Sequence, residues 1–488
     1  MDLNGQIRVL QAAQGAPAKL ALATVDLVYH ALADTERAAI KEALEAAAIP
    51  HWCDEAILAA LLQIPLGDSA ARFARLRRLR LVEPFRARGL NAVNVHEAAR
   101  LDLRKAVAAD PRDIFEELGR RAVAYFATDL TQAGRIEWIY HLLGVDPDCG
   151  ATELKKLDRD QTSSPHPRDQ YALAAALQEL EDTGLAQGRA RVWALLVIAW
   201  TRVGRGEAAQ LGDAARKALS LARNAADLGA EADAQCLLGS VLRAQGKLTD
   251  AQAAFVENLA ISRRLAEQDP TNPAWQQELA AAHDFVGCVL QAQGKLTKAQ
   301  AAFVEALAIS RRLADQDPTN PAWQRGLAVA HGRVGGVLQA QGKLTEAQAA
   351  FAEALAISHR LAQQDPTNAW WQRDLVVVHD FVGRVLQAQG KLTEAQAAFA
   401  EALAISRRLA EQDPTNVGRQ RDLAVAHGRV GDVSQAAGKL AEAQAAWAAA
   451  QAINLRLAEQ DPASGDWKWG LAVAYDPGGR PIAGARQA

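Results

Sequence analysis

The 488 residues carry a formal charge of −3 and are 50% hydrophobic by type, with 34 glycines and 17 prolines set among abundant Ala, Leu, Gln, Arg and Glu. That length holds several domains, and the composition is that of stacked helices rather than sheets or a disordered chain. The near balance of charge favours neither nucleic acid nor an acidic membrane as the partner of the molecule as a whole, so any basic patch must be local. Cys53, Cys149, Cys236 and Cys288 lie far apart and lack C-x-x-C spacing, which argues against zinc or a disulfide framework and for buried, reduced thiols. No basic-then-apolar leader pattern opens the sequence, and the longest apolar run, residues 192–200, is too short to span a bilayer. An all-α protein of the cytoplasm, without a membrane partner, is expected.

In chain order, the first predicted elements are three short helices at 34–47, 54–63 and 68–79, the last opened by the turn and cap Gly67, Asp68 and Ser69. Residues 82–85 and 92–96 read as two strands joined by a turn at 86–90, so that 31–108 has a winged-helix outline. Upstream, Gly15, Ala16 and Pro17 precede a helix, and downstream Val95, His96 and Glu97 follow the second strand. In this order and spacing the region resembles the lid and winged helix of signal-transduction ATPases with numerous domains. The resemblance implies lid-like helices over 1–30, and it sets His96 at the family's Met-His-Asp position, where the histidine touches the phosphate of bound ADP. Yet no G-x-x-x-x-G-K-[ST] occurs, so there is no phosphate cradle. The expectation is the regulatory half of a switch with no cofactor of its own: either a separate polypeptide supplies the nucleotide-binding core, or the reading frame is a fragment, or the half is used alone.

The same helices carry Arg72, Arg75, Arg77, Arg78 and Arg80, and the wing carries Arg86 and Arg88. Arginines on a third helix are placed to touch phosphates or guanine edges, so a DNA-binding regulator is the alternative. Phe73, Leu76 and Leu79 take one face of that helix, which leaves only part of the cluster pointing one way. Intramolecular use is preferred.

Residues 109–190 read as an irregular helical connector, with helices at 114–126, 137–143 and 171–180 and a loop over 158–169. Residues 191–230 read as a degenerate first hairpin. From 231 to 475 the turn glycines Gly246, Gly294, Gly342, Gly390 and Gly438 recur every 48 residues, and 294–341 differs from 342–389 at only 12 of 48 positions. Each unit predicts two helices. Asn272 caps the first, Pro273 enters it, and Trp275, Leu279, Ala282, Val286 and Leu290 form its apolar face. Thr297 and Gln300 suggest a capping box for the second, whose Ala299, Phe303, Ala306 and Leu313 pack inward. Gly287, Leu290, Ala299, Phe303 and Ala306 fall at the spacing that marks the tetratricopeptide repeat, and the array resembles that family with each unit lengthened from about 34 residues to 48. The fold expected is an α-solenoid of such hairpins preceded by a winged-helix domain with a small β-hairpin, ending in an unstructured tail at 476–488.

The resemblance implies a protein or peptide ligand along the first helices. It sets Asp284, Gly332, Asp380 and Gly428 in one inward row, Cys288, Gly336, Arg384 and Asp432 in a second, and Gln291, Gln339, Gln387 and Gln435 in a third. Variation on a fixed scaffold is where recognition is encoded. His283, His331, His379 and His427 sit a whole unit apart, roughly 10 Å or more between stacked helices, so they are read as packing residues rather than metal ligands. Serines lack a nucleophile elbow and no His or Cys cluster has metal spacing. The function expected is a ligand-sensing interaction scaffold, not an enzyme.

Overall fold

The computed structural model describes residues 34–109, 113–162, 167–204 and 206–460; the expected lid and tail lie outside them. They divide into two compact units, with the boundary between residues 237 and 238.

The first unit opens with α1 (Asp34–Ala47), α2 (Glu55–Leu62) and α3 (Leu66–Leu76). Asp54 caps α2 by accepting a hydrogen bond from the Ile57 amide at 2.8 Å, as its short acceptor side chain allows. Strands β1 (Val82–Pro84) and β2 (Val93–Val95) pair antiparallel with Val82 opposite Val95, and Cys53 exchanges two backbone bonds of 2.8 Å with Val93. The first two helices and the hairpin stand close to where the residue pattern puts them, but α3 starts at Leu66 and ends at Leu76, so Gly67, Asp68 and Ser69 lie inside the helix rather than capping it, and Arg77, Arg78 and Arg80 lie beyond its end.

Next come α4 (Glu97–Ala108), α5 (Ile114–Phe126), α6 (Gln132–Val145), α7 (Pro147–Thr162), α8 (Pro167–Thr183), α9 (Gly188–Gly204) and α10 (Gly212–Asn224). The expected loop at 158–169 is wrong at both ends, since α7 runs on to Thr162 and α8 begins at Pro167. Proline is tolerated in the first turn of a helix, so it starts α8 rather than extending a loop. One core joins Leu44, Ile57, Phe73 and Val95 to Leu118 and Phe126 of α5.

The second unit contains four complete hairpins. After α11 (Leu228–Ala244) and α12 (Leu248–Gln268) come α13 (Pro273–Ala292) with α14 (Leu296–Gln316), α15 (Pro321–Ala340) with α16 (Leu344–Gln364), α17 (Ala369–Ala388) with α18 (Leu392–Gln412), and α19 (Val417–Ala436) with α20 (Leu440–Gln460). From α12 onward each helix packs on the next along the chain, which is a tetratricopeptide-like solenoid.

The turns explain the period. Gly294 has φ +75°, its amide donates to Gln291 and the Lys295 amide reaches back to Leu290 at 2.9 Å, the six-to-one closure of a Schellman turn. This turn delivers the chain straight into α14 at Leu296, so the expected capping box does not form. Thr297 is already inside the helix, and the cap residue Lys295 makes no side-chain capping bond. Asn272, Asn320 and Asn368 do cap the first helices, each accepting two backbone amides.

Between the helices of a hairpin, Phe303, Phe351 and Phe399 are fully buried. A Cβ on Gly287, Gly335 or Gly383 would come within 2.4, 2.6 and 2.5 Å of those rings. The glycine is therefore demanded by close approach. Its neighbour Gly336 differs, because a Cβ there would meet nothing within 4 Å. Two adjacent substitutions should consequently move stability in opposite directions. Gly335→Ala is expected to lose about 1–3 kcal/mol by overpacking, whereas Gly336→Ala should gain about 0.5–1 kcal/mol from helix propensity. Guanidinium unfolding midpoints of the two variants measure this, and shifts of the same sign would show that the packing account is wrong.

Candidate ligand groove

The first helices α13, α15, α17 and α19 carry the three rows marked from the sequence. Asp284 accepts from Arg333 Nε at 2.8 Å, and Asp380 accepts from Arg429 Nε at 2.7 Å. A second set of rungs joins Arg325 Nε to Asp374 at 2.5 Å and Arg373 Nε to Asp422 at 2.6 Å. Every rung links one repeat to the next, so Asp284 and Asp380 hold the array together. Partly exposed pairs of this kind contribute roughly 0–1 kcal/mol each, enough to set register rather than to fold the chain. Burial, with Asp284 beside it, pushes the Cys288 thiol up to about 11, which keeps it neutral.

The rows alternate over two units: Asp284 and Phe285, Gly332 and Arg333, Asp380 and Phe381, Gly428 and Arg429. Phe285 stacks on Phe255 at 5.3 Å and Phe381 on Phe351 at 5.2 Å. Between α15 and α17 the alternation sets Gly332 and Gly336 against Phe381 and Arg384, and a cavity of about 380 Å³ opens. Gln291, Gln339 and Arg384, all three marked from the sequence rows, line it together. Gln387, Asp432 and Gln435 do not line it. Asp432 instead accepts from Trp447 Nε1 at 3.2 Å.

Sequence reasoning missed the apolar wall of Val329, Val377 and Phe381 and the Arg325–Asp374 pair at the cavity's edge. The two-unit alternation was the available signal. Arg384 lies 3.7 Å from Asp380, but that carboxylate already takes Arg429 at 2.7 Å. Arg384 is thus the more loosely held of the two guanidiniums on Asp380.

The repeated histidines stand one per unit, His283 and His331 buried, His379 and His427 half-buried, and burial holds all four below the ordinary imidazole value. Neutral packing residues behave this way. Among the described residues no three metal-capable side chains gather.

In the first unit, Arg72 pairs with Glu42 at 2.6 Å and Arg75 with Glu36 at 3.2 Å, both turned back onto α1, and Arg88 lies over the Trp52 ring at 5.1 Å. Arg77 and Arg78 are exposed. His96 is exposed at the start of α4 and is not a core histidine. Of the cysteines, Cys53 and Cys236 are buried, but Cys149 is exposed and Cys288 half-buried. Two of the four thus depart from the expectation of buried thiols.

A buried ionic cluster was not anticipated. Glu179 of α8 takes hydrogen bonds from Arg100 and Tyr140, Arg104 donates to the Ile49 carbonyl, and His51 Nδ1 meets Glu137 at 2.7 Å. His51 Nε2 also lies 3.4 Å from Glu179, and His141 Nε2 lies 3.4 Å from Glu137. Burial alone would raise both carboxyls, yet His51, His141 and Arg100 outweigh it and hold Glu137 and Glu179 well below the usual carboxylate range. Burial pushes His141 down to about 4. At His51 burial opposes the charge, but Glu137 and Glu179 win and raise it. The cluster ties the α1–α2 corner and α4 to α6 and α8.

No single helix among the described residues is long and apolar enough to cross a membrane. No curated protein matches the chain. Among solved structures, a signal-transduction ATPase with numerous domains carrying a tetratricopeptide repeat sensor, from Pyrococcus horikoshii, is 13% identical, with 97% of this chain and 69% of that one covered at a TM-score of 0.49. A Rap protein complexed with competence and sporulation factor is 14% identical over 77% of this chain and 95% of that one, TM-score 0.46. BtubC from P. vanneervenii is 18% identical over 52% and 91%, TM-score 0.39. Residues 232–272 and 381–415 match the tetratricopeptide repeat family, and the second unit is a solenoid of that type.

Proposed function

We propose that the chain is an interaction scaffold whose repeat array binds a protein or peptide segment along the inward faces of its first helices, and that it works by binding rather than by catalysis. The observation that carries this reading is the groove between α15 and α17, where a uniform scaffold presents unequal side chains around an open cavity. The first unit supports a regulatory role in signalling. Its three helices and hairpin fit a winged helix, and exposed His96 is open to a nucleotide held by a separate polypeptide. Arg72 and Arg75 turned onto Glu42 and Glu36 weigh against DNA as the main partner, because two of the five arginines marked between 72 and 80 pair inside the unit.

Selection from a random peptide display library on the immobilised full chain tests the binding reading. Enriched peptides should lose about tenfold or more in affinity, the scale of one lost anchoring contact, for a variant carrying Val329→Glu and Val377→Glu. Both valines are exposed, 44% and 42%, so the substitutions spare the core. Failure to enrich any peptide, or equal binding by the double variant, would count against it.

A further inference from the structure

The cavity between α15 and α17 is unlike the spaces on either side of it. Between α13 and α15 the inward positions of the leading helix are Asp284 and Cys288, and between α17 and α19 they are Asp380 and Arg384; only the middle space has glycine at both, Gly332 and Gly336. Packing does not demand them. A Cβ at Gly332 would touch the Phe381 ring at an ordinary 3.7 Å, and one at Gly336 would meet nothing. Neither has a positive φ. Each costs the helix about 1 kcal/mol relative to alanine, and what it yields is room.

The room has a defined chemistry. Its floor is Val329, Val377 and Phe381, apolar and partly open to solvent. Gln291 and Gln339 stand towards the C-terminal ends of their helices, and Arg325, held by Asp374, towards the N-terminal ends. Arg384 also lines it, a guanidinium held only loosely, 3.7 Å from an Asp380 carboxylate whose closer partner is Arg429 at 2.7 Å. A volume of about 380 Å³ sits at the small end of ligand sites, which run from about 300 to 1,000 Å³. It is too small for a helix and large enough for one apolar side chain with a carboxylate beside it.

Resting on the reading of the array as a peptide binder, we propose that this cavity takes an internal, extended peptide segment of a partner protein in which an acidic side chain adjoins a large aliphatic one. The aliphatic group enters the space over Gly332 and Gly336 against Phe381. The carboxylate accepts from the Arg384 guanidinium, and the glutamine amides bond the segment's backbone. Asparagine and lysine clamps for a chain-terminal carboxylate are absent from the first helices' inward rows, which is why an internal segment is the occupant.

The test uses three fluorescein-labelled peptide pools on the full chain, read by fluorescence anisotropy. The first is amide-capped, with a fixed Leu-Glu pair among mixed neutral residues; the second has Leu-Lys in its place; the third has no acidic side chain and ends in a free leucine carboxylate. The Leu-Glu pool should bind, the Leu-Lys pool should bind at least about tenfold more weakly, and Arg384→Gln and Gly336→Leu should each weaken the Leu-Glu pool by about tenfold, as loss of a charge-assisted bond or of the space requires. Gly336→Leu adds a side chain where nothing stands within 4 Å, and Arg384→Gln leaves the cavity open, so a folding defect in one does not decide the outcome. Equal binding of the Leu-Lys pool, preference for the free carboxylate, or insensitivity to both variants overturns the proposal. If no pool binds while display-selected peptides still need Val329 and Val377, the proposal fails and the array remains a peptide binder. If nothing binds at all, both fail.

Discussion

Phe351→Ala is expected to destabilise the repeat array by about 3–5 kcal/mol, the cost of emptying a fully buried phenylalanine site. The ring is 0% exposed, fills the space that Gly335 leaves for it, and stacks on Phe381 at 5.2 Å. Relaxation cannot close that gap cheaply, because the opposing residue is a glycine with no side chain to move in. In a solenoid each unit leans on its neighbours, so the loss spreads to the interfaces with α15 and α17. Phe381 also walls the cavity, which ties this stability change to function. Thermal unfolding followed by circular dichroism should show a transition lowered by many degrees. A change below about 1 kcal/mol, the scale of an ordinary surface substitution, would mean that the glycine and phenylalanine pairing does not organise the hairpins.

The second large effect is expected in the other unit. Glu179→Ala removes the carboxylate that Arg100 and Tyr140 share and that His51 approaches at 3.4 Å. Breaking one partner out of a buried ionic group costs about 3–5 kcal/mol, because the charges left behind are buried without compensation. Arg100 is 4% exposed and Arg104 2%.

The same cluster sets a pH dependence. Glu137 and Glu179 titrate below their unfolded value, so the stability they contribute is complete above about pH 4.3 and is lost as the pH falls through their folded values. His141, depressed to about 4, adds a loss that begins earlier, since the unfolded chain takes up its proton from about pH 6.5 downward. His51 runs the other way: its contribution is full below about pH 6.5 and fades as pH rises through its raised folded value. Urea midpoints between pH 7 and pH 3 should therefore fall steeply at the acid end. In Glu179→Ala that fall should be shallower, and an unchanged acid limb would contradict the assignment.

What the residues made legible follows from the range of the interaction. The turn glycines, the asparagine caps and the burial of Ala299, Phe303 and Leu313 act within one unit, so a 48-residue period reveals them. Gln291, Gln339 and Arg384 could be placed on inward rows by register alone. The partners of Asp284 and Asp380 were hidden, because each arginine comes from the next unit and from the adjacent position rather than the same row. The cavity itself arises from what Gly332 and Gly336 lack, and a missing side chain is hard to weigh without seeing what stands opposite. The His51 cluster had no local pattern at all. Its members come from the α1–α2 corner, α4, α6 and α8, and each looks like an ordinary polar residue of a helix or loop until the unit closes around it.

Hydrogen–deuterium exchange of the full chain, with and without a peptide enriched by selection, tests the central claim most directly. Binding along the inward faces predicts slowed exchange concentrated in α15 and α17, with α14, α16 and α18 little changed. Protection confined to those second helices, or to the first unit, would contradict the account.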